Sequence, residues 1–339
     1  MTKDISITEV AKRAGVSIAT VSRVFHNRGP VKESTRRKIE SIIEETGYTP
    51  NQLARELANK KTQLIGLIVH DFTGEGLPRA INGVNQIVED QGYHVLMTST
   101  RGNLDSELRN FEILRSKRVE GIIFATRSFK KEHQEIIEKL PIPVVVMLQD
   151  TTENGISSVF FQNKQFAYDA TKALLGMNHR QLAFFGGPSA SVNSSHRKDG
   201  FIQAFMEAGM TPDDKMVKHG DFSIESGYIQ MNKLLALKKP FTALVTINDA
   251  VAIGAINCLL DHGMRIPEDV SIIALDKTVV ADASRVQLSA VSYSYQDLGI
   301  QAAKLLVKQI GSGNKTIEQI KIDYDVHLQD STQRLNVKE

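Results

Sequence analysis

Between Ser17 and Arg23 the chain places three short hydroxyl side chains and an arginine within seven residues, a set suited to holding nucleic acid. The hydroxyls of Ser17, Thr20 and Ser22 can hold phosphates, and the Arg23 fork can meet a guanine edge at O6 and N7. A merely solvated helix would show a mixture of Lys and Glu there. The charge distribution agrees. Residues 1–62 carry 12 Lys+Arg against 7 Asp+Glu, whereas the rest of the chain carries 29 against 32. A small basic module on a near-neutral body implies that the module meets a polyanion and the body does something else. The structural alternative is a helical packing module whose basic residues are only solvated.

These side chains need short helices to present them. Ser6-Ile7-Thr8-Glu9 has capping-box spacing, in which Ser6 accepts from a backbone N–H and Glu9 reaches back. Gly15 supplies a turn, and Ser17 can cap a second helix from Ile18 to about His26. A third helix fits the segment from Val31, where Ile39, Ile42, Ile43 and Thr46 recur at helical spacing and Gly47 stops it. Together they form a helix-turn-helix signature.

From residue 63 short apolar runs (LIGLIV, YHVLMT, GIIFA, PVVVM, then SVFF, QLAFFG, TALVT, VSIIAL) alternate with amphipathic stretches. That pattern predicts an α/β body of parallel sheets covered by helices, in two similar halves of about 63–160 and 161–290, the alternative being one sheet of eight or more strands. The helix after Tyr295 and a strand near Ile320 should return the chain across the junction. Doubly wound halves of this kind bind ligands at the carboxyl ends of their strands, here between the lobes.

Enzyme chemistry finds no support, because GxxxxGK[ST], HExxH, GxSxG and a helix-opening GxGxxG are all absent and Gly74-Glu75-Gly76 is too short for a phosphate loop. No cofactor is expected. The nine histidines are scattered, and none pairs with Cys or Asp at a metal-ligand spacing, so no metal is expected either. A single cysteine, Cys258, forms no intramolecular disulfide. With no apolar leader and no long apolar span, the expectation is a cytoplasmic protein with no membrane partner.

The run ITEVAKRAGVSIATVSRVFHN, followed by TRRKIESIIEETGYTPNQLARELANKKTQLIGLIV, resembles the opening of LacI/GalR-family transcriptional regulators. The rest of the chain has the length and order of that family's effector-binding core. The resemblance implies a helix-turn-helix domain over 1–49, a hinge helix and linker over 50–62, and over 63–339 an effector-binding and dimerisation core of the periplasmic-binding-protein type I kind. Lobe one would cover about 63–160 and 293–320, and lobe two about 161–292 and 321–339. The function implied is a dimeric repressor binding a pseudo-palindromic operator, its affinity set by a carbohydrate or related small molecule.

Carried over by position, Ile18, Ala19 and Arg23 would choose operator bases, while Ser6, Ser17, Thr20, Ser22 and Asn51 would hold phosphates. Ile18 and Ala19 can offer only apolar contact, for instance to a thymine methyl. In PNQLARELA, with Ala54 on the hinge helix, Leu57 would be the minor-groove wedge. The alternative for that segment is a linker helix whose Leu53 and Leu57 pack on the core.

In the cleft, Arg197 falls where the family's arginine clamps ligand, Phe222 where an aromatic stacks on it, Asn248 at a ligand contact and Asp276 at the acceptor for ligand hydroxyls. Asp71 is placed with them. Each has a plainer reading: Phe222 as core filler, Asp276 as a helix cap, Arg197 as a surface ion pair. The chain departs from the family at Gly74-Glu75-Gly76-Leu77, at Leu148 and at Gln162-Asn163, where stacking and polar groups are lost.

Those departures leave room for a phosphorylated or less polar effector. They also leave room for a phosphoprotein corepressor, since Ile18-Ala19 and Arg23 resemble the recognition helix of catabolite control proteins. A sensor that has lost DNA control is the rival from another class. A dimer is expected through helices of the lobes, with Ile81, Val84 and Val88 on one candidate face. Leu328 and Leu335 are seven apart, but no heptad repeat extends them into a tetramer-forming tail.

Overall fold

The computed structural model describes residues 5–25, 29–48, 62–72, 76–282, 284–313 and 316–336. The chain divides into two compact units, 1–62 and 63–339.

The first unit holds α1 (Ile7–Ala14), α2 (Ile18–Phe25) and α3 (Glu33–Thr46). Val10, Ala11, Ala14, Val21, Val24, Ile39 and Tyr48 close one small core. Gly15, at φ 71, ends α1 in the left-handed conformation that a residue without a side chain adopts most cheaply. The Ser6 hydroxyl accepts from Glu9 N at 3.3 Å, so half of the expected capping box forms. The other half does not: Glu9 pairs along the helix with Arg13 Nε at 3.2 Å. An oppositely charged partner one turn away attracts the carboxylate more strongly than a neutral backbone N–H.

In the second unit, β1 (Leu64–Val69), β2 (His94–Ser99), β3 (Gly121–Ala125), β4 (Val144–Met147), β5 (Ser158–Phe161) and β11 (Gln319–Ile322) form one sheet in the order β11-β5-β4-β3-β1-β2. The second sheet contains β6 (Leu182–Gly186), β7 (Val217–His219), β8 (Ala243–Thr246), β9 (Ser271–Ala274), β10 (Ser289–Tyr293) and β12 (Tyr324–His327), in the order β12-β10-β9-β8-β6-β7. The pairs are parallel except β10 with β12, whose strands run antiparallel. Central strands such as β3 and β4 are buried along their whole length, as strands covered on both faces must be.

Helices α4 (Gly76–Asp90), α5 (Leu104–Ser116), α6 (Lys131–Glu138) and α12 (Tyr295–Ser312) belong to the first lobe. The second lobe has α7 (Asn163–Gly176), α8 (Val192–Glu207), α9 (Ile224–Leu235), α10 (Asp249–Asp261) and the short α11 (Val279–Asp282). The chain crosses between lobes after β5, after β10 and between β11 and β12. One core runs through these crossings: Phe161 lies 4.2 Å from Tyr293, and Phe166 stacks on Tyr293 at 5.3 Å.

The expected dimer face on α4 is corrected here. Val84 and Val88 are fully buried, Ile81 packs partly buried on the same core, and α12 covers that side of the helix. The reason is backbone proximity. A Cβ on Gly83 would stand 2.2 Å from the Gln296 carbonyl oxygen, and one on Gly299 would stand 1.9 Å from that of Ala80. Two facing glycines let the helices touch backbone to backbone, so the apolar stripe is spent inside the chain.

Candidate nucleic-acid interface and ligand cleft

On α2, Val21 and Val24 turn into the small core, whereas Ile18, Ala19 and Arg23 are exposed and Ser22 is half-buried. Positions 18, 19, 22 and 23 share one side of a helix, so the residues expected to meet bases and phosphates are presented together. Ile18 is 47% exposed, an apolar side chain that the module itself does not cover. Ser17 caps α2 by accepting from Thr20 N at 3.2 Å, and its hydroxyl lies 2.9 Å from that of Thr20. Ser6 and Ser17 are exposed at the starts of α1 and α2, where free N–H groups favour phosphate. Phe25, 42% exposed at the end of α2, was not singled out from sequence. Asn51, Ala54 and Leu57 lie outside the described residues, as does His26.

Except for Arg197, the cleft residues sit beyond the carboxyl ends of strands. Asp71 follows β1, Arg127 follows β3, Asn248 follows β8 and Asp276 follows β9. Arg197 reaches in from α8, and Phe222 precedes α9. A chain of contacts links Asp71, Phe222 and Asn248, and Arg197 and Asp276 lie beside it, close enough to influence each other's charge. Asp71 Oδ2 pairs with Arg127 Nη2 at 3.0 Å, and the Arg127 guanidinium lies 5.5 Å from the centre of the Phe222 ring, across the lobe boundary. The Phe222 carbonyl accepts from Asn248 Nδ2 at 3.0 Å, while Asn248 Oδ1 caps α10 by accepting from Val251 N at 2.9 Å.

One residue before Asn248, the Ile247 carbonyl accepts from Arg197 Nη1. Arg197 Nε donates to Asn163 Oδ1 at 2.8 Å, Nη2 donates to Tyr293 Oη at 2.9 Å, and the guanidinium lies 4.9 Å from the Phe166 ring centre. Arg197 is therefore neither an open clamp nor a surface ion pair. Its fork is engaged by this chain's own groups, because a guanidinium buried to 7% exposure must find partners on every side.

Asp276 is also 7% exposed. Its Oδ2 accepts from Tyr295 Oη at 2.8 Å, and its Oδ1 is buried with no hydrogen-bond partner. Burial raises its pKa to about 6, an effect that nearby Arg197 opposes and Asp249 reinforces. Asp249 does not compete for the same donors, since its Oδ2 accepts from the Thr278 N–H and hydroxyl at 2.6 and 2.8 Å. Behind Asp71, burial and then Arg127 push His70 down to about 4, so its imidazole is neutral near pH 7.

Two aromatic rings fit against glycine backbone. A Cβ on Gly187 would come within 2.6 Å of the Phe222 ring, and one on Gly76 within 2.3 Å of Tyr295. The departure at Gly76 thus has a physical role, because the missing side chain admits Tyr295. Gly74 and Glu75 lie outside the described residues. Leu148 adopts a positive φ of 79, and its carbonyl accepts from Asn193 Nδ2 at 3.3 Å, tying one lobe to the other. Gln149 Nε2 completes that tie by donating to Asn193 Oδ1 at 3.0 Å.

Sequence reading missed Arg127, Tyr293 and Tyr295. The two tyrosines were visible in VSYSYQ, but that segment was not recognised as a strand entering the cleft. Among the described residues, no group of His, Cys, Asp or Glu could hold a metal ion, and no helix is long and apolar enough to cross a membrane.

Residues 6–51 match the model of bacterial regulatory proteins of the lacI family, and residues 62–331 match that of periplasmic binding proteins and the sugar binding domain of the LacI family. The chain is 32% identical to catabolite control protein A of Priestia megaterium, covering 97% of this chain and 99% of that protein. It is 31% identical to the HTH-type transcriptional regulator DegA of Bacillus subtilis, covering 98% and 99%. Its fold matches the lac repressor dimer bound to operator and the anti-inducer ONPF, with a TM-score of 0.87 at 23% identity over 98% of this chain and all of that one. A complex of the transcriptional regulator CelR with cellobiose matches with a TM-score of 0.73 at 25% identity over 96% and 99%. With its helix-turn-helix module and its two-lobed body both matched, the chain belongs to the LacI family of bacterial regulatory proteins.

Proposed function

We propose that this regulator is a homodimeric repressor of a pseudo-palindromic operator, and that a neutral polyhydroxylated molecule bound between its lobes sets operator affinity. Ile18, Ala19 and Arg23 read base edges. Ser6, Ser17, Thr20, Ser22 and Asn51 hold phosphates, and Ala54 and Leu57 belong to a hinge helix whose Leu57 wedges the minor groove. The observation that carries the effector reading is the unpartnered Asp276 Oδ1, buried beside the Arg197 network. A buried acceptor without a donor is costly, and a ligand hydroxyl removes that cost. Asp71-Arg127 and Phe222 close over the ligand from the two lobes, the ring offering a stacking face. An effector that prefers one lobe arrangement changes operator affinity by its differential binding.

Calorimetric titration of a panel of mono- and disaccharides, cellobiose among them, against wild type and Asp276→Ala tests the reading. The expected result is that a sugar binding the wild type releases or tightens operator DNA and is silent on the variant. Equal binding to both proteins sinks the assignment.

With the Ile81–Val88 face buried, the dimer is carried by other apolar surface. Met97 on edge strand β2, Ile224 and Val279 contribute, at 41%, 45% and 49% exposure. The internal engagement of Arg197 favours a second reading, in which a phosphoprotein corepressor docks on the body and the cleft is only tuned by small molecules. The similarity to a catabolite control protein supports it.

A further inference from the structure

We infer that the buried pair Glu107 and His133 is a positioning device for Arg127, the first-lobe residue whose guanidinium reaches Phe222 of the second lobe, and that through this contact the pair biases the lobe arrangement. Glu107 on α5 is 3% exposed, and His133 on α6 is fully buried. The His133 ring packs on Phe124 and Phe129, at 4.9 and 5.6 Å between centres.

The pair acts on the segment 126–130, which follows β3. Glu107 Oε1 accepts from the Thr126 hydroxyl at 3.2 Å, and Thr126 Oγ1 in turn accepts from Ser128 N at 3.2 Å. One hydroxyl therefore fixes the residues on both sides of Arg127. His133 Nδ1 accepts from Lys130 N at 3.0 Å, which closes the segment where α6 begins. Accepting there leaves the ring proton on Nε2, which stands 3.0 Å from Glu107 Oε2 but off the line of a hydrogen bond.

Stability alone does not account for the pair, because well-packed apolar residues often replace buried polar partners without loss. What the polar atoms add is direction. Thr126 and Ser128 set the backbone of Arg127, and Asp71 Oδ2 holds its Nη2 at 3.0 Å, so the guanidinium is aimed over the Phe222 ring, 5.5 Å from its centre. A cation–π contact at a partly exposed site shifts a two-state equilibrium about two- to fivefold. The inference rests on the lobe equilibrium proposed above, and it is independent of which molecule enters the cleft.

The chain contains no tryptophan, so Phe222→Trp gives the full-length protein a single indole beside Arg127. In that protein Arg127→Ala should raise acrylamide quenching of the indole about twofold, because the arginine stem and fork no longer cover the ring. Thr126→Val, which removes the hydroxyl and keeps the shape, should reproduce the rise, as should Glu107→Ala, and neither should add to Arg127→Ala. Glu107→Gln retains an acceptor for Thr126 and should keep the parental quenching. With the native Phe222 in place, operator affinity should change about two- to fivefold and in the same direction in Arg127→Ala and Thr126→Val. If Glu107→Ala fails to fold, the isosteric Thr126→Val carries the test. A lowered Tm with unchanged quenching in Thr126→Val makes the pair structural and overturns the proposal, as does quenching indifferent to Arg127→Ala. Unchanged operator affinity in both variants overturns the bias on the lobes. Quenching is read without operator or effector, so it decides the positioning even where the effector reading at Asp276 fails.

Discussion

Tyr295 donates its phenolic hydroxyl to Asp276 Oδ2 at 2.8 Å, across the boundary between the lobe that owns α12 and the lobe that owns β9, and leaves Oδ1 of the same carboxyl unpartnered. The contact makes Asp276 both a tie between lobes and an unfilled acceptor. Its energetics therefore depend on what enters the cleft.

Asp276 makes stability fall as pH rises. Its folded pKa of about 6 lies above the ordinary carboxyl value of 3.8, so between these values the folded chain binds the extra proton and unfolding releases it. The stabilisation is complete below about pH 4 and is lost as pH rises through 6, a difference of about 3 kcal/mol by pH 8. Asp276→Asn, which keeps an acceptor for Tyr295, should flatten this slope in urea titrations between pH 4 and 8. A ligand hydroxyl that donates to Oδ1 favours the ionised form, so effector affinity should rise with pH through 6. An unchanged slope in the Asn variant would show that another group carries the dependence.

Arg197→Ala should destabilise the body as well as abolish the effector response. The substitution leaves the Asn163 and Tyr293 side chains and the Ile247 carbonyl short of a partner, and it strands Asp276 in a buried site without its nearest cation. Removing one member of a buried charged network costs about 3–5 kcal/mol. Calorimetric melting should show a clear fall in Tm, whereas a normal melting curve with a lost response would return Arg197 to a purely ligand-contacting role.

Arg23→Ala should cost about 1–3 kcal/mol on operator DNA and little on random DNA, as expected of a bidentate guanine contact. Gel shifts on the palindrome nearest its own gene, beside a scrambled duplex, measure both. Equal losses on the two DNAs would make Arg23 a phosphate contact.

Light scattering should give about twice 37.6 kDa. Met97→Asp, on the exposed edge strand, should shift the mass toward monomer with the fold intact. Val84→Asp should instead unfold the first lobe, since burying an unpaired carboxylate under α12 costs several kcal/mol. A folded monomer from Val84→Asp would restore the α4 face as the interface.

The amino-acid sequence by itself determined what depends on neighbours in the chain. Ser6, Gly15, Ser17 and Gly47 mark helix ends because capping and left-handed turns are local events. The α/β body is legible because buried parallel strands read as continuous apolar runs. Arg197, Phe222, Asn248 and Asp276 were singled out through the resemblance to a family, and the use of their atoms was not legible. Arg197 meets Asn163, Ile247 and Tyr293, which are 34, 50 and 96 residues away along the chain. Only the packed lobes bring those groups within bonding distance. The same holds for α4, whose stripe of Ile81, Val84 and Val88 has the spacing of an exposed interface and of a buried seam alike. What decided between them was Gly299, more than two hundred residues on, whose lack of a side chain lets α12 lie against α4 and cover it.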